Sequence, residues 1–258
     1  MAQFLARFLF ILGIAGGTMT TLSADDAKQY YELRQYKLKS DADPAPLDAY
    51  LSDALLPALN RIGIKPVGLF KTTSEQDFAS RFVLIPLTGP KQAGDIPKTL
   101  AADQAYAKAA GPYLETPPTQ PLLERVRSEL LIAFDVQPQM SVPAICRDKD
   151  DRIFELRTYE SATEHRGDLK VEMFNSGEVP IFLDCGIQPI FFGQAIIGDR
   201  MPNLTYMTVY PNQEAKDEGW KKFRVHPDWK VLSKNPRFAD TVSTIHKWDL
   251  APLPASQL

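Results

Sequence analysis

Two polar triplets stand out as residues that could do chemistry. Each has a glutamate, an arginine and a tyrosine at alternate positions, Glu32, Arg34 and Tyr36 in the first and Glu155, Arg157 and Tyr159 in the second. Because successive side chains of a β-strand point to opposite faces, residues spaced by two share one face. A guanidinium can clamp an anionic group, and a neighbouring carboxylate can act as a general base. The triplets therefore predict the lining of a pocket for a small anionic molecule.

A structural role for the same residues is the alternative. A glutamate and an arginine on one strand face can neutralise each other, and the tyrosine can bond locally. The survival of both triplets favours this interpretation, since duplicated proteins often keep an active site in one copy only. An Arg157→Ala variant that loses stability but keeps ligand binding would identify the structural role.

The spacing of the triplets extends to other residues. The offset is 155 − 32 = 123 positions, and it also relates three further pairs, Pro57 with Pro180, Gly63 with Gly186, and Pro66 with Pro189. An offset that is kept without insertion over this distance indicates a duplicated unit. Function should therefore be sought in what the two copies form together.

Each copy predicts the order strand, helix, strand, strand, helix, strand. In the first copy the opening strand is residues 30–38 and the last is residues 129–136, with a helix that Pro57 should interrupt and Gly63 should cap. Such a βαββαβ unit forms a four-stranded antiparallel sheet with both helices on one face. Two units can cover their bare faces by packing together or by closing a shared barrel. The apolar face of the first strand should then meet the helices, and the polar triplets should point into the space between the sheets.

Three motifs resemble the NIPSNAP family. They are the Glu-Leu-Arg-x-Tyr strand opening, the helix ending from proline to glycine in both copies, and the segment from Trp220 through Phe223 and His226 to Trp229. The resemblance is clearer in the second copy, because the first copy lacks the tryptophan pair and has Tyr106 at the position equivalent to Trp229. It implies an α+β fold in which two tandem ferredoxin-like βαββαβ repeats form an intramolecular dimeric α/β barrel. That superfamily includes cofactor-free monooxygenases, haem enzymes and small isomerases, so the resemblance implies no specific reaction.

The N-terminal sequence is typical of a signal peptide. Arg7 precedes the apolar run 8–15, and small residues follow at positions 23 and 24. The predicted organisation is a signal peptide at 1–24, a first repeat at 25–138, a linker at 139–150 and a second repeat at 151–258. The mature chain is expected to be exported, to the periplasm or the cell exterior. An uncleaved N-terminal anchor is the alternative, and it would be the one route to a membrane.

Charge excludes one class of partner. Without residues 1–24 the chain has 28 basic and 32 acidic residues, a net charge of 28 − 32 = −4 with neutral histidines. A mildly acidic surface does not gather nucleic acid by counterion release. A small-molecule ligand is the expected partner, and further homo-oligomerisation stays open.

Histidines and cysteines offer few further sites. His246, on the last predicted strand, is the one histidine that alternation could place in the cavity as acid, base or haem ligand. His165 is expected to be solvated and His226 to begin a helix. No histidine or cysteine pair has metal-ligand spacing, so no metal is expected. Cys146 and Cys185 are expected to be separate thiols, with a disulfide as the alternative.

Two functions are compatible with these sequence patterns. No nucleotide-binding motif is present, and haem stays open as a cofactor. The first function is an exported protein that binds or transforms a small molecule between the two sheets, and the second is a protein-interaction module with an inert, packed interior. A cavity on the order of a few hundred Å³ between the sheets would distinguish the first from the second.

Overall fold

The computed structural model describes residues 28–73, 79–148 and 151–258. The segment that carries the signal-peptide prediction lies outside these ranges. Within them, no helix is both long enough and apolar enough to cross a membrane.

The described residues form a closed barrel of eight antiparallel strands. The strands are β1 (Tyr30–Leu38), β2 (Gly68–Thr72), β3 (Ser80–Leu87), β4 (Leu123–Ala133), β5 (Ile153–Glu160), β6 (Gln188–Ile197), β7 (Asn203–Tyr210) and β8 (Thr244–Pro252). Around the barrel their order is β1-β3-β2-β8-β5-β7-β6-β4. Each half contributes four neighbouring strands, and the halves are joined by the β2–β8 and β4–β6 pairs. The prediction of two βαββαβ repeats closing an intramolecular barrel is confirmed.

Helices cover the outside of the barrel, apart from the short helix Ile145–Asp148, which packs against the apolar cluster of the interior. They are α1 (Ala45–Ala49), α2 (Leu56–Arg61), α3 (Pro90–Ala101), α4 (Gln104–Leu114), α5 (Ile145–Asp148), α6 (Glu164–Met173), α7 (Val179–Asp184), α8 (Gln213–Val225) and α9 (Pro227–Leu232). In each half an apolar core lies between the sheet and its helices. The Asn212 side chain accepts the Ala215 N–H at the start of α8. At the start of α9, His226 Nδ1 accepts the Asp228 N–H, which confirms the prediction that His226 begins a helix.

In each half, the proline that was expected to interrupt a helix is preceded by a widened helical turn. Pro57 and Pro180 have no N–H, so neither can donate the bond that an α-helix requires of it. Each lies at the start of an α-helix that follows directly on a π-helical segment, Tyr50–Leu55 in the first half and Phe174–Glu178 in the second. The expected interruption is therefore a local widening of the helix. Gly63 and Gly186 then end the helices at φ of 80° and 79°, as their position predicted.

The barrel interior is packed with large apolar side chains. Rings from the two halves meet there, Tyr31 with Phe191 at 4.9 Å and Phe70 with Phe154 at 4.8 Å between centroids. Aromatic pairs at this separation add to the gain from apolar burial. The expectation of a large cavity between the sheets was wrong for the described residues, because aromatic side chains from both halves fill that space.

The prediction of which strand face points inward was also wrong. Tyr31 and Leu33 of β1, and the equivalent Phe154 and Leu156 of β5, belong to the barrel interior. The two polar triplets lie instead on the outer face of the barrel, under the helices. Alternation shows which residues share a face, but it does not identify the layer that each face meets, and in this protein both layers are buried. The middle of the barrel interior takes the apolar side chains of the inward faces, and the charged side chains of these faces lie at one end of the barrel.

Candidate functional site

In the first half, the triplet Glu32, Arg34 and Tyr36 is held together by its own contacts. Arg34 Nε donates to Glu32 Oε1 at 2.6 Å and Arg34 Nη2 donates to Glu32 Oε2 at 2.9 Å. The Ser128 hydroxyl donates to the same carboxylate at 2.7 Å. Burial raises the pKa of Tyr36 above its usual value. A guanidinium fork that is already filled by a carboxylate has little capacity left for a ligand.

The second triplet, Glu155, Arg157 and Tyr159, is enclosed more tightly. Arg157 Nη2 donates to Glu155 Oε1 at 2.9 Å and Arg157 Nη1 donates to the Tyr159 hydroxyl at 3.3 Å. The guanidinium carbon lies 3.7 Å from the centroid of the Trp220 ring, a cation–π contact. Trp220 Nε1 donates to Glu155 Oε2 at 2.8 Å, so α8 is tied to the sheet through this pair. Both triplets have the geometry of the structural alternative.

The structure brings a different set of polar residues together at one end of the barrel. We call this end the mouth, and its polar and aromatic lining is Gln35, Phe82, Arg127, Glu129, Thr158, Arg200 and Trp248. The cleft that they line has a volume of about 20 Å³ open to water. A volume of this size holds about one water molecule. A ligand of the mouth would therefore cover it rather than enter the barrel.

The mouth is built by both halves at equivalent positions. Gln35 of β1 and Thr158 of β5 are 158 − 35 = 123 positions apart. On β4, Arg127 pairs with Gln35, and on β8, His246 pairs with Thr158. Because side chains alternate, these four residues all lie on strand faces that point toward the barrel interior. The two halves therefore contribute to one shared site.

Two arginines stand at the rim of the mouth. Arg127 Nε lies 3.0 Å from Asp199 Oδ2. Arg200 Nε lies 3.9 Å from Glu160 Oε1, and its guanidinium carbon lies 5.5 Å from the centroid of the Trp248 ring. Partly exposed pairs of this kind contribute little to stability, so each arginine can turn toward a ligand at small cost.

His246 lies beside the arginines. Its Nε2 is 2.6 Å from Glu160 Oε1, and its ring stacks on Trp248 with 5.9 Å between centroids. The sequence predicted that alternation could place His246 toward the space between the sheets, and it lies on the inward face of β8 at the rim. It is not part of the cleft lining.

Glu129 is the buried acid of the mouth. The residue is only 8% exposed, and Asn203 Nδ2 lies 3.5 Å from its Oε1. Burial raises the pKa of Glu129 to about 7, with a further contribution from the negative charge of Asp199 and a partial offset from Arg200. A carboxyl group with this pKa can take and release a proton near neutral pH. The arrangement can thus hold an acidic group and exchange a proton with it.

The sequence prediction missed most of the mouth. Gln35 and Thr158 alternate with the triplets and keep the 123-residue offset, so the signal for them was present. Arg127 was missed because the predicted fourth strand began at residue 129, whereas β4 begins at Leu123. The charged run ahead of Glu129 lacks the apolar alternation that marks a strand.

Neither haem nor a metal ion fits the described residues of the mouth. Haem would need a cavity on the order of several hundred Å³, and the cleft offers about 20 Å³. His246 Nε2, the atom that would bind iron, is already in contact with Glu160. Within the described residues, no group of three or more histidine, cysteine, aspartate or glutamate side chains could hold a metal ion.

Comparison with solved structures supports the fold. A candidate monooxygenase from Fusobacterium nucleatum superposes with a TM-score of 0.57 at 13% identity, over 88% of this chain and 93% of that one. A second candidate monooxygenase, from Lactobacillus acidophilus, gives a TM-score of 0.56 at 8% identity over 87% and 94%. At these identities the likeness shows the fold and carries no reaction with it.

Sequence comparison identifies a domain in the second half of the chain. No curated protein sequence matches this chain significantly. The model of the NIPSNAP family matches residues 154–257, which span the second half of the barrel from β5 onward. The chain therefore carries a NIPSNAP domain in its second half, which confirms the resemblance found in the sequence.

Proposed function

We propose that this protein binds a small molecule with an acidic group at the mouth of the barrel, and that Glu129 is the group that exchanges protons with it. One observation carries the proposal: a cleft built by both halves combines two rim arginines with a buried carboxyl group whose pKa is about 7. Perturbed carboxyl groups in clefts are typical of functional sites.

The arginines supply the anion clamp in this proposal. Arg200 is the more available of the two, because its contact with Glu160 is long at 3.9 Å. Arg127 would release Asp199 to meet the same anionic group. Two guanidinium groups can together supply several charge-assisted hydrogen bonds to one carboxylate.

The size of the cleft restricts the ligand. With a volume of about 20 Å³ the cleft does not take in a whole ligand, so the mouth would hold the ligand through its acidic group, and the proposal includes no nucleotide cofactor. The two candidate monooxygenases of the same fold support small-molecule chemistry in such barrels by analogy only. Export to the periplasm or the cell exterior remains part of the proposal, and it rests on the N-terminal sequence alone.

Calorimetric titration with a panel of small carboxylates tests the proposal. We expect at least one member, such as benzoate or acetate, to bind the wild-type protein and to lose about tenfold or more in affinity in Arg127→Met and in Arg200→Met. Arg224→Met, at an exposed position of α8, is the matched control and should bind as the wild type does. A wild-type protein that binds no member of the panel would refute the proposal.

The packed barrel interior favours a second candidate function, a non-enzymatic protein-interaction module. In that case the buried rings would serve stability alone, and the mouth would be a solvated surface. The two functions differ in the panel experiment, since a module of this kind would bind none of the acids. Substitution of both rim arginines would then change the surface charge but neither the folding of the protein nor its lack of affinity for the acids.

A further inference from the structure

The mouth carries more negative than positive charge. Its bases are Arg127 and Arg200, and its acids are Glu129, Asp199 and Glu160, which gives 2 − 3 = −1 when all five are ionised and His246 is neutral. An anion that approaches this mouth meets a net repulsion, which is strong where water is partly excluded. Uptake of one proton would bring the mouth to neutrality.

We propose that the ligand of the mouth is a weak acid that binds as its anion together with one proton, and that Glu129 takes up this proton. The inference rests on the proposed function and adds the chemical form of the ligand. It also gives Glu129 a specific part in recognition, since a ligand without an ionised group would bind without proton uptake.

Burial and contacts distinguish Glu129 from the other two acids. The side chain of Asp199 is 45% exposed and contacts Arg127, and that of Glu160 is 29% exposed and contacts both His246 and Arg200. Glu129 is 8% exposed and meets the amide of Asn203. A buried carboxylate that lacks a close basic partner favours its neutral form.

The surroundings of Glu129 support the same assignment. The turn between β6 and β7 closes over its side chain, since a methyl group added at Gly198 would lie 2.8 Å from Glu129 Cγ. The titratable and charged groups that face the mouth from every neighbouring element are Arg127 on β4, Glu160 on β5, Asp199 and Arg200 in the turn after β6, and His246 on β8. His246 contacts Glu160, so substitution of this histidine tests whether the proton goes to it instead of Glu129.

An incoming anion would strengthen the tendency of Glu129 to hold a proton. It would draw Arg127 from Asp199 and Arg200 from Glu160, and it would add a negative charge beside Glu129. Both changes disfavour the ionised form of a buried carboxyl group. At pH values above the pKa of Glu129 in the ligand-free protein, each further unit of pH should then lower the affinity for the anion about tenfold.

Benzoate binding, measured by calorimetry in two buffers with different heats of ionisation, tests the inference. We expect uptake of about one proton per benzoate near pH 8 and little uptake near pH 6, with affinity that falls about tenfold per pH unit above pH 7. In Glu129→Gln, which carries a neutral group at this position, both the uptake and the pH dependence should disappear. Circular dichroism confirms that each variant is folded.

His246→Gln provides the matched control. It should keep the proton uptake and the pH dependence of the wild type, since Glu129 is intact. Loss of both in His246→Gln, or their persistence in Glu129→Gln, would overturn the assignment. Benzoate binding without proton uptake would refute this inference but leave the proposed function in place, whereas a protein that binds neither benzoate nor any other acid of the panel at any pH would refute both.

Discussion

Glu129 and Trp248 occupy the same position in the two halves of the barrel. Glu129 of β4 pairs with Leu33 of β1, and Trp248 of β8 pairs with Leu156 of β5, where 156 − 33 = 123. One half therefore has a buried acid where the other has an indole. The mouth is consequently a single asymmetric site, although the strands around it follow the same plan twice.

Glu129 should make the stability of the protein depend on pH. Its pKa is raised from 4.5 to about 7 in the folded state, so between these values the folded protein keeps a proton that the unfolded chain releases. Stability should therefore fall as pH rises through this window, by at most about 3 kcal/mol at 1.36 kcal/mol per unit. Glu129→Gln removes this loss, and urea unfolding at about pH 8 should show a gain of about 1–3 kcal/mol.

The same variant should show almost no gain near pH 4, where Glu129 is protonated in both states. Glu124→Gln, on the same strand but half-exposed, is the control and should change neither value. Equal effects of Glu129→Gln at both pH values would show that its carboxyl group titrates normally.

Arg157 should contribute to stability and not to ligand binding. Arg157→Ala leaves Glu155 buried without its guanidinium partner and removes the surface on which Trp220 packs. Loss of one member of such a pair costs about 3–5 kcal/mol, to be measured by urea unfolding. Affinity for the acids that bind at the mouth should stay within about twofold of the wild type.

Arg224→Ala on the exposed side of α8 is the control for this experiment, and it should stay within about 0.5 kcal/mol of the wild type. A folded Arg157→Ala protein that keeps its stability but loses acid binding would return the second triplet to the role of a binding site.

The sequence predicted the fold better than the site, for a physical reason. The 123-residue offset and the caps at Gly63 and Gly186 depend on the length and local geometry of a single repeat, so the sequence of one repeat is enough to predict them. The layer that a strand face meets depends on how two repeats close around each other. Arg34 and Arg157 satisfy this packing by pairing with glutamates beneath the helices, which alternation alone could not reveal.

The mouth shows the same limit. Arg127 and Glu129 lie two positions apart, which placed them on one strand face only once β4 was known to extend to Leu123. Arg200 and Asp199 come from a turn, where no periodic pattern applies. The approach of Arg127 to Asp199 depends on the pairing of β4 with β6, which joins the two halves and brings together residues 72 positions apart in sequence (199 − 127 = 72).

A buried ion pair in the second half should show strong coupling. Lys170 Nζ lies 2.7 Å from Glu178 Oε2, and the same ammonium lies 4.7 Å from the centroid of the Phe174 ring. Both charged side chains are almost fully buried. Lys170→Met or Glu178→Met alone leaves one buried charge without a partner and should cost about 3–5 kcal/mol.

The double variant should be nearly as stable as the wild type, because two apolar side chains of similar volume often replace a buried pair without loss. Urea unfolding of all four proteins gives the coupling free energy. Additive losses in the double variant would show that the two residues act independently.

Cys146 and Cys185 should remain free thiols in the folded protein. Both are buried without a disulfide, Cys146 in the cluster of the barrel interior and Cys185 in the core between sheet and helices. Burial raises the pKa of Cys146 to about 11 and also raises that of Cys185. Because the thiolate is the reactive form, an aromatic disulfide reagent should modify neither residue at neutral pH until the protein unfolds.

Both cysteines should react at once in concentrated guanidinium chloride, and Cys146→Ser should halve the signal from the reagent. A native protein whose mass is lower by two hydrogens, or one that reacts fully while folded, would contradict the separation of the two cores.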